Sequence, residues 1–397
     1  MMNRTLNRPS MRTTMVGMAL TALLSACGGG GGGSTPTPAA VTLSTLAAGG
    51  GSTCRIDGSS GALSCWGMND FGQLGSGTAG GSSATAQTVS LGAGRKATAV
   101  ALGVDHTCAI LDDQSVACWG SNAQGQIGQP ANLNANPTPT LVPGLKAQAL
   151  SLGIEHSCAV TLTGSVQCWG SNSKGQLGVP ATQLTQSATP QIIGGLSNIK
   201  ALVSGFNFVC ALTQGSTVQC WGDNQSGQLG NASTIDSAAP VAAGSLSGVQ
   251  ALAAGAYHAC ATTGTAVSCW GRNDQGQLGH SSSTPLVISP TNIAATLSTV
   301  TQLAAGSGHS CALHSSGAVS CWGGNASKQL SGSSAGGTSP VSVGLSGSAA
   351  AQLALGLTHS CVQIGGSVNQ TQCWGAGTSG RLGPNALADS ASAVVVP

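Results

Sequence analysis

Charge is scarce in this sequence: Asp, Glu, Lys and Arg make up 6% of 397 residues, and Glu155 is the single glutamate. With a formal net charge of +2 and no basic stripe, the chain has little with which to neutralise phosphates, so nucleic acid is disfavoured as a partner. The acidic residues are scattered and no paired carboxylates recur. Serine is too common for any one to stand out as a nucleophile, so no enzyme signature or cofactor is read from the chain. Aromatics are only 3% of the residues. No stretch sustains a helical period, and the apolar run at residues 15–24 is too short to span a bilayer as a mature helix.

What is abundant is glycine, 61 residues of it, alongside Ser, Thr and Ala, with 41% hydrophobic residues. That balance predicts a turn-rich all-β protein with enough apolar material for a core.

The N-terminus reads as an export signal. Arg4, Arg8 and Arg12 precede the apolar run, which ends in Leu24-Ser25-Ala26-Cys27. This resembles the bacterial lipobox, in which small residues admit the peptidase and the cysteine thiol takes the lipid. Residues 1–26 are therefore expected to be removed, leaving a lipidated Cys27. Gly28 follows where inner-membrane retention would call for Asp, so the expected location is the outer membrane, facing the periplasm or the cell surface. Removal of the signal leaves nine cations against ten carboxylates. Residues 27–40, rich in Gly, Pro and Thr, form an uncharged tether between the lipid and a domain at 41–397.

That domain is one phrase written seven times. Cys-Trp-Gly begins at Cys65, Cys118, Cys168, Cys220, Cys269, Cys321 and Cys373, recurring about every 51 residues, and it uses every Trp in the chain. Five copies extend to Cys-Trp-Gly-x-Asn-x-x-Gly-Gln-[Leu/Ile]-Gly. In the sixth, Lys328 and Ser331 replace Gly; in the seventh, Gly377 and Arg381 replace Asn and Gln. Upstream of each copy lies an alternating segment such as Leu150-Ser-Leu-Gly-Ile-Glu-His-Ser-Cys-Ala-Val160, and downstream a Pro-x-x-Val phrase. Period-two alternation around short turns predicts about four strands per repeat. Four short strands cannot bury both faces alone, so the units must stack. The pattern predicts a seven-bladed β-propeller of four-stranded antiparallel blades. Its ring is expected to close by pairing of the N-terminal strand at 41–48 with the C-terminal strand at 393–397 in one shared blade.

The paired phrases Gly-x-x-His-[Ser/Thr]-Cys-Ala and Trp-Gly-x-Asn-x-x-Gly-Gln-Leu-Gly resemble the regulator of chromosome condensation repeat, a seven-bladed propeller family. The resemblance covers residues 41–397. The eukaryotic namesake is a guanine nucleotide exchange factor on chromatin, but the export signal, near-neutral charge and extra cysteines here depart from that setting, and the activity is not carried over. The chain is more similar to secreted bacterial members, whose roles lie in protein binding, including inhibition of secreted enzymes.

Fifteen Cys divide into Cys27 and one pair per repeat: Cys54 and Cys65, Cys108 and Cys118, Cys158 and Cys168, Cys210 and Cys220, Cys260 and Cys269, Cys311 and Cys321, Cys361 and Cys373. Four pairs are ten residues apart, a spacing that sets them opposite each other across a tight turn, within reach of a disulfide. Tetrahedral zinc uses closer pairs, so no metal is assigned. Reduced buried thiols remain the other reading.

His recurs two residues before the first Cys of a pair in five repeats, at His106, His156, His258, His309 and His359, with Ser52 and Phe208 in the others. Because Phe can fill the slot, these are expected to be buried imidazoles bonded to backbone at blade junctions. The Asn of Trp-Gly-x-Asn is read as a turn residue. Two freely varying positions precede each His slot. Val104, Asp105, Ile154, Glu155, Phe206, Asn207, Tyr257, Leu357 and Thr358 among them are the candidate binding rim, mixing apolar, aromatic and acidic side chains as interfaces do. Longer loops at 129–138 and 280–289 compete as the binding face. The expected function is a monomeric, protein-binding envelope lipoprotein, with carbohydrate or cell-wall binding as the alternative and an envelope enzyme behind it.

Overall fold

The computed structural model describes residues 44–396 apart from 281–284, 294, 296, 333–334, 348 and 366–369. Cys27, the signal and the tether lie outside the described residues.

Among the described residues, twenty-seven strands form seven antiparallel blades, each running inside to outside in chain order. The first blade holds β1 (Leu46–Ala48), β2 (Ser52–Ile56), β3 (Leu63–Met68) and β4 (Ser82–Thr88). The second holds β5 (Ala97–Leu102), β6 (His106–Leu111), β7 (Ser115–Asn122) and the first part of β8 (Asn132–Leu152). The rest of β8 opens the third blade, with β9 (His156–Thr161), β10 (Val166–Ser171) and β11 (Gln186–Ile192). The fourth comprises β12 (Ile199–Ser204), β13 (Phe208–Thr213), β14 (Val218–Gly222) and β15 (Ser237–Ala242). The fifth comprises β16 (Ala251–Ala254), β17 (His258–Thr262), β18 (Val267–Arg272) and β19 (Leu286–Asn292). In the sixth are β20 (Val300–Ala305), β21 (His309–His314), β22 (Val319–Gly323) and β23 (Gly337–Ser342). The last has β24 (Ala350–Leu355), β25 (His359–Ile364), β26 (Thr371–Gly375) and β27 (Ser390–Val396). The innermost strands neighbour one another around an axis, β1 meeting both β5 and β24. The outer strands are sheet edges, and Pro190, Pro240, Pro290 and Pro340 within them remove ladder donors, which blunts edge-to-edge pairing.

Each Trp is fully buried. In six of the seven the indole N–H donates to the backbone carbonyl of the Gln in the preceding blade's Gly-Gln-Leu-Gly phrase, as in Trp119 to Gln73 at 2.9 Å and Trp322 to Gln277 at 3.0 Å. The two halves of the repeat phrase are therefore a donor and an acceptor for neighbouring blades. The glycine after each Trp has φ near +100° (Gly67 at 105°, Gly271 at 101°) beside a register shift in the ladder, a bulge only glycine enters without strain.

The two terminal strands do not pair with each other. Ala47 of β1 faces Cys54 within the first blade, and Val394 of β27 faces Cys373 within the last. Each blade is complete because the first has its own outer strand, β4, which carries neither the proline of the second to sixth blades' outer strands nor the valine run of β27 and so hid from the pattern. Closure instead repeats the contacts of other junctions: Trp66 donates to the Arg381 carbonyl at 3.1 Å, and Leu46 and Trp66 pack with Ala354, Leu382 and Val396.

Cys of each pair face one another on the second and third strands of a blade, Cα atoms 4.1 Å apart and sulfurs bonded. All fourteen are buried.

Candidate functional site

The inner strands end in a glycine, and seven such glycines (Gly49, Gly103, Gly153, Gly205, Gly255, Gly306, Gly356) encircle the axis at one end. There they line a narrow cavity of about 120 Å³; the inner strands themselves line a wider one of about 750 Å³. Successive collar turns are tied backbone to backbone. The Gly50 N–H donates to Gly103 O at 3.1 Å, Phe206 to Ala256 O at 3.1 Å, and Leu357 to Gly49 O at 3.1 Å.

Under each of five of these glycines lies the histidine three residues on. The imidazoles are fully buried and bridge blades, but through a hydroxyl and not through backbone as the sequence suggests. His106 Nε2 lies 2.8 Å from Ser157 Oγ, His258 Nε2 2.9 Å from Ser310 Oγ, His309 Nε2 3.0 Å from Ser360 Oγ and His359 Nε2 2.8 Å from Thr53 Oγ1. Ser157, Ser310 and Ser360 each donate their single proton to the Gln carbonyl that also takes a Trp N–H, so the imidazole is the donor to them and carries its proton on Nε2. Nδ1 is left bare against the collar glycine. His156 is the exception: Val209 stands where its hydroxyl partner would be, and neither ring nitrogen makes a hydrogen bond of ordinary geometry. In the fourth blade Phe208 replaces the imidazole and faces a blade bearing Ala259 in place of the hydroxyl, an apolar pair for a polar one. These histidines are structural, and among the described residues no His, Cys, Asp or Glu group could hold a metal.

The collar gathers every rim residue read from the sequence, each half-buried. Val104, Phe206 and Leu357 line the axial cavity, while Ile154 bonds through its N–H to Phe206 O at 3.0 Å. The second residue of each turn sits outboard, where its carbonyl takes the N–H of the residue after a Trp-Gly: Asp105 from Ser121, Glu155 from Ser171, Asn207 from Asp223, Tyr257 from Arg272, Thr358 from Ala376. A second ring is thereby fixed around the first, which sequence reasoning missed. Its signal was present in the variable position of Trp-Gly-x-Asn.

Chemistry differs around this end. Burial raises the Asp105 carboxyl, with Asp70 and Glu155 adding like-charge repulsion. Across the axis, Phe206 and Tyr257 meet edge to face with centroids 5.2 Å apart, and the Arg272 guanidinium lies 5.7 Å over the Tyr257 ring while pairing with Asp274. Lys174 joins Asp223 at 3.5 Å and Asp236 at 3.2 Å. The loops at 129–138 and, where described, 280–289 connect third to fourth strands at this same end, so they flank the collar instead of forming a rival face. A turn asparagine holds the first of these loops, Asn122 Nδ2 donating to Pro130 O at 2.8 Å.

A family model described as the RCC1-like domain matches residues 62–397. The chain belongs to the RCC1-like domain family. Solved relatives of this RCC1-like propeller share its fold. Prp20p of Saccharomyces cerevisiae is 22% identical with a TM-score of 0.68, over 78% of this chain and 80% of its own. Human WBSCR16 is 21% identical with a TM-score of 0.75, over 85% and 94%. The ectodomain of the receptor kinase ACR4 of Arabidopsis thaliana is 19% identical with a TM-score of 0.52, over 89% and 98%. Prp20p has been characterised for binding to Gsp1p and histones.

Proposed function

We propose that this RCC1-like propeller is an exported, Cys27-lipidated protein of the outer membrane that binds a protein partner through the collar end. The reading is supported chiefly by the collar: a rigid, backbone-tied ring that presents an aromatic pair on one side and carboxylates on the other. Half-buried aromatics and Arg in such settings are the groups that dominate protein interfaces. Binding to protein by Prp20p is in keeping with it. Carbohydrate platforms would need flat exposed aromatics, and every Trp is buried while Phe206 and Tyr257 occupy each other.

Capture from whole cells with the purified protein, followed by mass spectrometry, tests the reading. Phe206→Ala with Tyr257→Ala is expected to weaken recovery of a captured partner roughly tenfold or more, leaving the melting temperature near that of the parent. Unchanged capture by that variant and by Asp105→Ala with Glu155→Ala would remove the collar as the interface.

The compartment makes its own prediction. Seven disulfides require an oxidising environment, and each closes a short loop whose loss costs on the order of 3 kcal/mol in the chain-entropy model. Protein isolated with thiols blocked is expected to label at none of the fourteen paired cysteines until it is both denatured and reduced. Fourteen labelled thiols on denaturation alone would overturn the export reading.

A further inference from the structure

The channel along the propeller axis is a funnel. Its wide part, of about 750 Å³, is walled by the inner strands and falls within the range of small-molecule sites, about 300 to 1,000 Å³. It narrows toward the collar, where residues just before the collar glycines, Leu102 and Ala254 among them, line the wide and the narrow cavity alike. The opposite end, where the inner strands begin, is its mouth.

The mouth is not the same on every side. The residue five before each collar glycine sits there, and in four blades it has no proton to offer. Ser44 donates its hydroxyl to Leu46 O at 2.6 Å, Thr98 to Ile110 O at 3.2 Å and Thr301 to Leu313 O at 3.2 Å, while the last blade has Ala351. Glutamines one residue deeper in the sixth and seventh blades brace the ring: Gln302 donates to Leu353 O at 2.8 Å, and Gln352 accepts from Thr45 at 2.8 Å.

The third, fourth and fifth blades differ. In them the same position holds Gln148, Lys200 and Gln250, three donor side chains in a row that make no hydrogen bond or ion pair among the described residues. Among the described residues Lys200 is the only charged one on the cavity wall, so no carboxylate answers it there. Deeper along the inner strands the wall is Leu, Val and Ala, interrupted by Ser151 and Ser204. An ammonium group set over such a wall has its field focused into the channel, and the flanking amides add N–H donors of the same sense.

We propose that the axial channel binds a small amphipathic organic anion, its head held at the mouth by Lys200 with the amides of Gln148 and Gln250, and its apolar body against the wall that Leu150, Leu202 and Leu252 line. The site lies at the end of the axis away from the collar, so the inference does not rest on the collar being the protein-binding end.

The test uses the full chain carrying Cys27→Ser and the probe anilinonaphthalene sulfonate, whose fluorescence rises on leaving water. Saturable binding is expected. Lys200→Gln, which copies the mouth residue of both neighbouring blades, is expected to weaken it about tenfold, and Lys200→Arg to leave it within a factor of about three. Phenylnaphthylamine, the same rings without the sulfonate, is expected to bind Lys200→Gln as well as it binds the parent. Decanoate is expected to displace the probe, and acetate at equal concentration to leave it in place, because a head without a body gains nothing from the wall. Ala254→Leu with Ala305→Leu puts into two blades the residue that Leu102, Leu152 and Leu355 supply in others; it narrows the funnel and is expected to weaken the probe several-fold, with a melting temperature near the parent's. Binding that does not saturate, or that is unchanged in either Lys200→Gln or the narrowed variant, overturns the site. Displacement by acetate as effective as that by decanoate overturns the amphipathic ligand.

Discussion

Between pH 7 and pH 4 the protein is expected to lose most of its folding stability, and the five collar histidines are the cause. Burial pushes His106, His309 and His359 down to about 3 and His156 and His258 to about 4 from an ordinary value of 6.5. In His106, His258 and His309 protonation would have to occur on Nδ1, since Nε2 already carries the proton given to the neighbouring hydroxyl, and in all five imidazoles Nδ1 is pressed against a glycine with no acceptor. Below pH 6.5 the unfolded chain therefore binds protons that the folded one refuses. Stability is full above that pH and falls as pH drops toward the folded values. A displacement of this size corresponds to roughly 3 to 5 kcal/mol per imidazole as an upper bound, and a domain typically has about 5 to 15 kcal/mol in all. Two or three histidines would suffice. Urea unfolding from pH 7.5 to 4 should show a midpoint that falls steeply below pH 6.5. His258→Phe with Ser310→Ala, which copies the natural Phe208 and Ala259 pair, should flatten the profile by about one proton. A flat midpoint across that range would show that the imidazoles take up protons as readily in the fold as in the unfolded chain.

Alanine at Gly306 is expected to destabilise the propeller by about 3 kcal/mol or more. Its Cβ would lie 2.2 Å from His309 Cε1 and 2.5 Å from the Gly356 carbonyl oxygen. The ring could move; the carbonyl belongs to the next blade's collar turn and cannot move without breaking the annulus. His309→Ser should therefore rescue only part of the loss, a coupling that a double-mutant cycle would read. Gly194→Ala is the control, because nothing lies within 4 Å of its added Cβ, and it should be neutral or slightly stabilising. Equal melting temperatures for Gly306→Ala and Gly194→Ala would refute the packing account of the collar glycine.

Both predictions come from one fact of assembly. In the sequence, Gly-x-x-His and Gly-Gln-Leu-Gly are separate phrases, and their spacing along the chain says nothing of who meets whom. In the fold, the Gln126 carbonyl of the second blade receives the Trp169 indole and the Ser157 hydroxyl of the third, and His106 of the second blade completes the relay. Val209 opposite His156 shows the cost of losing one member. Ring closure was misread for a related reason: strand β4 carries no proline, so the first blade looked one strand short until its register with β3 was seen.

The chain alone determined the repeat, its number, the strand-turn-strand grammar and the residues of the inner rim, because period-two alternation and the demand for glycine at special backbone geometries are local and leave a mark on every copy. Only the tertiary structure decided which phrase bonds to which, that the long outer loops share an end with the collar, and that Trp66 meets Arg381 where the ring closes. Those are contacts between blades, set by packing across an interface, and residues 315 positions apart along a chain carry no local sign that they will touch.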